Sequence, residues 1–231
     1  LRELRQEDDN MGIVEAENVK AHYVTNVYGI ERKVRAVDDV SLEIKNNEIL
    51  GIAGESGCGK TTLLKVLFGM INPPLRVLEG KVNYNVEGKT YDVLSLDRAG
   101  LRKIRWKNAS YIPQGSMNVL NPVRRIKKNF RDFIGTHRPQ LNKKEIDAMV
   151  LEHLNDLGLP QEVMDAYQHQ LSGGMRQRVT MALATILKPD IIFGDEPTTA
   201  LDVIVQRGVI QLLQQIQSEE NNSMVVVTHD M

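Results

Sequence analysis

The chain has 231 residues, 42% of them hydrophobic, with 29 Lys and Arg against 30 Asp and Glu for a net charge of −1. That length suits one large domain or two small ones, with apolar material enough for a real core. The charge balance gives no reason to propose the basic footprint of a nucleic-acid binder, and the single cysteine, Cys58, excludes an internal disulfide and suits a reducing compartment. No apolar run approaches the ~18 residues of a membrane span, so a membrane role is expected only through a partner. Residues 1–10 lack the apolar centre of a signal peptide and read as a leader or tag-like segment ahead of Met11, or as a native polar tail.

From Ile13 to Ile44 the sequence reads as strands, with Val40, Leu42 and Ile44 alternating with Ser41, Glu43 and Lys45 as on a half-buried sheet. Asn46-Asn47 is a turn, and Ile49 to Ala53 is a short buried strand. The next nine residues, Gly54-Glu55-Ser56-Gly57-Cys58-Gly59-Lys60-Thr61-Thr62, match the G-x-x-x-x-G-K-[ST] pattern. Leu63, Leu64, Leu67 and Met70 then recur at helical spacing until Gly69 and Pro73-Pro74 stop the helix. Residues 80–91 add β-like stretches around Glu87-Gly88. Residues 119–170 read as a mostly helical insertion, in which Asn142 and Glu145 predict a capped helix start. Ile146, Met149, Val150, Leu154 and Leu157 form its apolar face, and Gly158 closes it. Ser172 caps another helix, with Val179, Ala182, Leu183 and Ile186 on one face and Pro189 beyond. Residues 191–194 are a buried strand, a long helix turns Val209, Ile210, Leu213 and Ile216 inward, and residues 224–228 are a last apolar strand. Strands alternating with helices predict a parallel α/β sheet.

The chemistry gathers at the ends of those strands. Glycines let a backbone approach a phosphate, successive N–H groups point inward, and a helix N-terminus adds positive potential. In residues 54–62, Lys60 is expected to reach the β- and γ-phosphates and the Thr61 hydroxyl to ligate Mg²⁺, with Cys58 a small spacer rather than a catalytic thiol. Phosphoryl transfer further needs a metal, a positioned water and charge neutralisation. Asp195, ending the 191–194 strand, is expected to hold Mg²⁺, and Glu196 to orient or deprotonate the attacking water. His229 ends the last strand at the same sheet edge and is expected to contact the γ-phosphate. Leu171-Ser172-Gly173-Gly174-Met175 combines a hydroxyl, small residues and a helix N-terminus, a second anion cradle. Two cradles with one catalytic aspartate make sense if Ser172, Gly173 and Gly174 serve the nucleotide of another copy.

Together these residues closely resemble the ATP-binding subunits of ABC transporters over nearly the whole chain. Residues 54–62 look like the Walker A loop, 171–175 like the family signature, 191–196 like the Walker B strand, Ala200-Leu201-Asp202 like the D-loop and His229 like the switch histidine. Gln114 resembles the Q-loop glutamine, and only that wider pattern gives its amide oxygen a role facing Mg²⁺ or the attacking water. Ser172–Arg178 (Ser-Gly-Gly-Met-Arg-Gln-Arg), Leu120–Val123 and Asp195–Asp202 with Gln206 are similar to the oligopeptide and dipeptide importer branch, which some oligosaccharide importers share.

The resemblance implies a P-loop NTPase (RecA-like) α/β core with an N-terminal antiparallel β-subdomain and an inserted α-helical subdomain. The domain would then run over residues 11–231, with core and β-subdomain in 11–118 and 171–231 and helical subdomain in 119–170. It implies ATP and Mg²⁺ as ligands and a head-to-tail sandwich of two ATPase subunits, identical or paired. Each ATP would lie between one subunit's Walker motifs and the other's Ser172, Gly173, Gly174 and Asp202. Tyr23, or alternatively Tyr28, would stack on adenine. Two membrane-spanning permease subunits would hold the pair at the cytoplasmic face, served indirectly by an extracellular solute-binding protein, with no nucleic acid involved. Relatives continue past the position of Met231, so the chain reads as C-terminally truncated. The missing extension of peptide importers can carry an iron–sulfur cluster. The rival expectation is a soluble ATPase switch in DNA maintenance or translation. A GTP switch is ruled out, because Asn142-Lys143-Lys144-Glu145 fails the guanine-reading Asn-Lys-x-Asp at its last position.

Overall fold

The computed structural model describes residues 12–115, 119–199 and 203–229, with the side chains of Val203 and Ile204 excepted. In chain order the elements are β1 (Val14–Val27), β2 (Ile30–Ile44), β3 (Ile49–Ala53), α1 (Lys60–Leu67), β4 (Leu75–Val86), β5 (Lys89–Asp92), α2 (Arg98–Ile104), β6 (Ala109–Ile112), α3 (Ile126–His137), α4 (Lys143–Asp156), α5 (Gly173–Thr185), β7 (Ile191–Asp195), α6 (Val203–Glu220) and β8 (Ser223–Thr228), with short 3₁₀ turns at Gln161–Asp165 and Gln168–Gln170 before α5.

The first sheet is antiparallel, in the order β2-β1-β4-β5. Its long β1–β2 hairpin turns at Tyr28-Gly29, both with positive φ (52° and 81°), the two-residue geometry that continues the twist of the strands. Glu87-Gly88 (φ 53° and 69°) turns β4 into β5 the same way. The expected alternation near Ile44 is present: Ile44 is buried, while Ser41, Glu43 and Lys45 are exposed.

The second sheet is parallel throughout, in the order β3-β8-β7-β6. β3 pairs with β8 although about three-quarters of the chain separates them, with Ala53 opposite Thr228. Val225 and Phe193 of this sheet, together with Leu64, Leu67 and Phe68, pack against Val14, Val82 and Tyr84 of the first sheet in one core. A second core joins Phe130, Ile134, Val150 and Leu154 of α3 and α4 to Met181, Ile192 and Leu213.

Two elements, α2 and β6, fall in a stretch whose pattern predicts neither. β6 is only four residues long, all of them buried, so it shows no alternation to read. In α6 the expected inward set needs one correction. Val209, Leu213 and Ile216 are buried, but Ile210 is half exposed and Leu212 takes its place in the core. The spacing 209, 212, 213, 216 is the i, i+3, i+4, i+7 stripe of a helix, and Ile210 lies a rotation of about 100° away from Val209.

α4 begins as anticipated. Asn142 Oδ1 accepts from the backbone N–H groups of Lys144 (2.9 Å) and Glu145 (3.1 Å), and Glu145 Oε2 accepts from Asn142 N–H (2.7 Å). These reciprocal bonds satisfy N–H groups that have no partner inside the helix. Asn142→Ala is expected to cost about 1 kcal/mol and to lower the thermal midpoint by roughly 2–4 °C, measured by circular dichroism. An unchanged midpoint would show that the cap adds nothing in this setting.

Candidate nucleotide-binding site

All four strands of the parallel sheet point their C-terminal ends the same way, and each end delivers part of the site. β3 runs into the phosphate loop, β6 leads to Gln114, β7 ends in Asp195 and Glu196, and β8 ends before His229. Loops at the carboxyl edge of a parallel sheet face open space, where a ligand can be met from several sides.

Gly54, Glu55, Ser56, Gly57, Cys58 and Gly59 form the loop, and α1 starts at Lys60 with no acidic residue in its first turn to neutralise its positive end. Gly57 (φ 82°) and Gly59 (φ 104°) take backbone conformations that favour glycine. At Gly59 a Cβ would also stand 2.1 Å from the carbonyl oxygen of Ala36 on β2, so the loop is braced directly against the antiparallel sheet. Lys60 is buried and folds back on the loop: its Nζ donates to the carbonyl oxygens of Gly54 (2.6 Å) and Glu55 (2.7 Å). Cys58 is a free, exposed thiol.

Asp195 is 1% exposed and its charge is met by two hydroxyls. Thr61 Oγ1 donates to Oδ1 and Tyr111 Oη to Oδ2, each at 2.8 Å. Burial, followed by the nearby Asp195 charge, pushes the Tyr111 phenol far above its ordinary value, so it stays a neutral O–H donor.

Glu196 sits at φ 47°, a strained backbone for a residue with a long side chain. Its N–H donates to Val227 O (3.1 Å), which ties the strained turn to β8. Its Oε2 accepts from Gln114 Nε2 (2.9 Å) and Thr199 Oγ1 (2.8 Å), and His229 Nδ1 lies 3.2 Å away. Burial lifts the pKa of this carboxyl, but Thr199, His229 and Lys60 together outweigh that and hold it below the usual carboxylate range. Glu196 is therefore ionised at neutral pH.

A groove of about 260 Å³ is lined by Tyr23, Arg35, Ser56, Lys60, Thr61, Gln114 and Glu196, among others, and Asp195 lines a neighbouring cavity of about 390 Å³ with Thr61, Tyr111 and Gln114. Larger cavities of about 620 and 900 Å³ flank α2 but hold none of the phosphate-loop residues. Of the two tyrosines weighed for an adenine, Tyr23 lines the groove and its hydroxyl shares a hydrogen bond with Thr62 Oγ1 (3.2 Å), whereas Tyr28 is fully exposed at the hairpin tip. Ser172 caps α5 by accepting from Met175 N–H (3.3 Å). Ser172, Gly173 and Gly174 are not among the described residues lining the groove of their own chain. Gln177 of α5 donates to Pro197 O (2.6 Å) and so links that helix to the Glu196 turn. Asp202 lies outside the described residues.

The donor set fits Mg²⁺. Among the described residues no three His, Cys, Asp or Glu side chains converge as an all-protein metal cage. A hydroxyl and a carboxylate oxygen do converge at Thr61 and Asp195, the sparse oxygen set that suits a Mg²⁺ otherwise held by phosphates and water.

Tyr111 and Thr199 join the site without having been expected there from the sequence. Thr199, three residues after Glu196, was reachable from spacing alone. Tyr111 sits in the strand whose pattern carries no signal.

The chain is 37% identical to the dipeptide transport ATP-binding protein DppD of Caldanaerobacter subterraneus subsp. tengcongensis, over 95% of this chain and 65% of that protein. It is 34% identical to the oligopeptide transport ATP-binding protein OppD of Lactococcus lactis subsp. cremoris, over 94% and 64%. With DppD of Escherichia coli it shares 37% over 85% and 59%. The chain thus spans about 59–65% of the length of these relatives. Its fold matches a dimeric structure of the ATP-binding cassette MJ0796 in a post-hydrolysis state bound to ADP and Pi, with a TM-score of 0.78, 32% identity and coverage of 94% of this chain and 88% of that one. The family model described as ABC transporter matches residues 37–199, where the phosphate loop, Gln114, the α5 N-terminus and the Asp195-Glu196 strand end all lie, and the chain belongs to that family.

Proposed function

We propose that this chain is the ATP-hydrolysing subunit of an importer that takes up short peptides, or oligosaccharides handled by the same branch, across the cell membrane. One observation carries the reading: Lys60 and Thr61, Gln114, Asp195 with Glu196, and His229 follow the ends of four adjacent parallel strands, where Thr61 bonds Asp195, Gln114 bonds Glu196 and His229 lies 3.2 Å from Glu196. The peptide substrate is supported by the names of the dipeptide and oligopeptide transport relatives.

In the proposed reaction the phosphate loop offers its N–H groups and the α1 N-terminus to the triphosphate of ATP. Lys60 exchanges the carbonyls of Gly54 and Glu55 for phosphate oxygens. Thr61 and Asp195 would hold Mg²⁺, which neutralises charge on the β- and γ-phosphates. Glu196, kept ionised and steadied by Thr199 and His229, takes the proton of the attacking water. Gln114, seated 2.9 Å from Glu196, couples that carboxylate to the segment leading into residues 119–170, which we read as a helical subdomain inserted in a core of residues 11–118 and 171–231. Tyr23 stacks on the adenine. Ser172, Gly173 and Gly174, together with Asp202, complete the site of a second ATPase subunit, identical or paired. ATP favours the closed pair because only there are all γ-phosphate contacts made. Two permease subunits anchor the pair at the cytoplasmic face and transmit closure to the pore. The single cysteine, Cys58, cannot by itself hold an iron–sulfur cluster.

The shared site predicts complementation. Ser172→Arg and Lys60→Ala proteins are each expected to be inactive as ATPases, the first while still binding ATP. Mixed together they are expected to regain part of the activity. Each mixed pair has one site with an intact Lys60 from one chain and an intact Ser172 from the other. A mixture as inactive as its parts would remove the shared site. Stimulation of the wild-type ATPase by a co-expressed permease pair separates an importer from a soluble switch.

A further inference from the structure

We propose that Tyr111 is a positioning residue of this site: its hydroxyl holds one oxygen of the Asp195 carboxylate so that the other is presented, together with Thr61, to a divalent cation. The inference rests on the reading of Thr61 and Asp195 as the cation's protein ligands.

Tyr111 stands on β6 directly opposite Phe193 of β7, and Asp195 follows two residues further along β7. Its ring is buried against Phe68, with centroids 5.3 Å apart. Phe68 is itself wedged between Phe193 (6.0 Å) and Trp106 (6.3 Å). Rings packed on several sides cannot change rotamer without opening the core. The hydroxyl is therefore delivered by the sheet and not by a mobile loop.

The two oxygens of Asp195 answer to different parts of the fold. Oδ1 is met by Thr61, which belongs to the phosphate loop and its helix, and Oδ2 is met by Tyr111, which belongs to the sheet. When a cation enters between Thr61 and Asp195, only Oδ1 has to change partner. Oδ2 keeps its donor, and the carboxylate plane keeps its orientation. Without the Tyr111 hydroxyl, Oδ2 would be a buried anionic oxygen lacking its donor, and the group would rotate to find another. Partners that orient a metal's protein ligands typically govern about 10–100-fold in metal affinity.

The test uses Mn²⁺ as the cation probe and ADP as the nucleotide, so no turnover is required. Free Mn²⁺ is titrated by electron paramagnetic resonance against the ADP-loaded protein, and ADP affinity is measured separately in EDTA. Tyr111→Phe is expected to raise the Mn²⁺ concentration for half-saturation about tenfold while leaving metal-free ADP affinity within about twofold. Phe68→Leu loosens the same ring stack but keeps the hydroxyl, and is expected to lower the thermal midpoint while raising the Mn²⁺ concentration for half-saturation by clearly less than Tyr111→Phe does. Should Tyr111→Phe fail to fold, Tyr111→Met removes the same hydroxyl with a more adaptable side chain and is read by the same titration. An unchanged Mn²⁺ titration in the variant lacking the hydroxyl, or an equal loss in Phe68→Leu, would overturn the role of Tyr111 and leave the proposed function standing. Absence of ADP-dependent Mn²⁺ binding in the wild-type protein would overturn both.

Discussion

Glu196→Gln is expected to lower ATP turnover by about 10²–10⁴-fold, the usual contribution of a positioned general base, while ATP binding survives. The two side chains have nearly the same shape. The amide oxygen can still accept from Gln114 and Thr199, so the turn built on the strained φ of 47° should persist. What disappears is the negative charge. Thr199, His229 and Lys60 hold that charge in place against the cost of burial, and in the proposed reaction it is that charge which would accept a proton from water. In the proposed site binding would be governed by the phosphate loop on a different strand, so affinity should change by no more than a few-fold. With hydrolysis blocked and ATP still held, the protein is expected to accumulate as an ATP-bound dimer, visible by size-exclusion chromatography with light scattering. Near-normal steady-state hydrolysis by the variant would remove Glu196 from the role of base.

Gly59→Ala should weaken ATP binding by roughly 5- to 150-fold, the factor to which about 1–3 kcal/mol of local backbone strain corresponds. Two independent features of the position combine. Its φ of 104° is unfavourable for any residue with a Cβ, and that Cβ would lie 2.1 Å from the backbone oxygen of Ala36. A side-chain clash can be relieved by a rotamer change, but a clash between a Cβ and a strand carbonyl requires the loop itself to move. Lys60 and the first turn of α1 move with it. Gly57→Ala is the control: φ there is 82°, yet nothing lies within 4 Å of where the added methyl would stand, so strain acts without overlap and a smaller loss is expected. Isothermal titration with ATP distinguishes the two variants. Equal affinities would show that the contact with β2 does not set the loop.

How far the site could be read from the chain depends on how local each part is. The phosphate loop was legible because its geometry is made by adjacent residues: glycines that free the backbone, a lysine and a hydroxyl at the start of the following helix. Asn142 with Glu145 and the turn at Asn46-Asn47 were legible for the same reason. Asp195 and Glu196 stood out only because the short apolar run that ends in them follows a phosphate loop in the same chain; alone, such a pair reads as a solvated strand end. Ile210 was misjudged because one residue of phase error on a helix exchanges core for solvent.

Residue order and spacing along the chain thus specified which chemical groups are present and which of them sit on loops, strands or helix starts. The order β3-β8-β7-β6 came from elsewhere. It follows from burying apolar faces contributed by segments distant in sequence, and no local period encodes it. That packing brings residues 54–62, 111–114, 195–199 and 229 to one edge. It sets the Ala36 carbonyl against Gly59 and aims a tyrosine from a four-residue strand at a buried aspartate. Hydrogen bonds over such separations form only once the core has fixed the strand register, and for that reason Tyr111 carried no signal until the fold was in view.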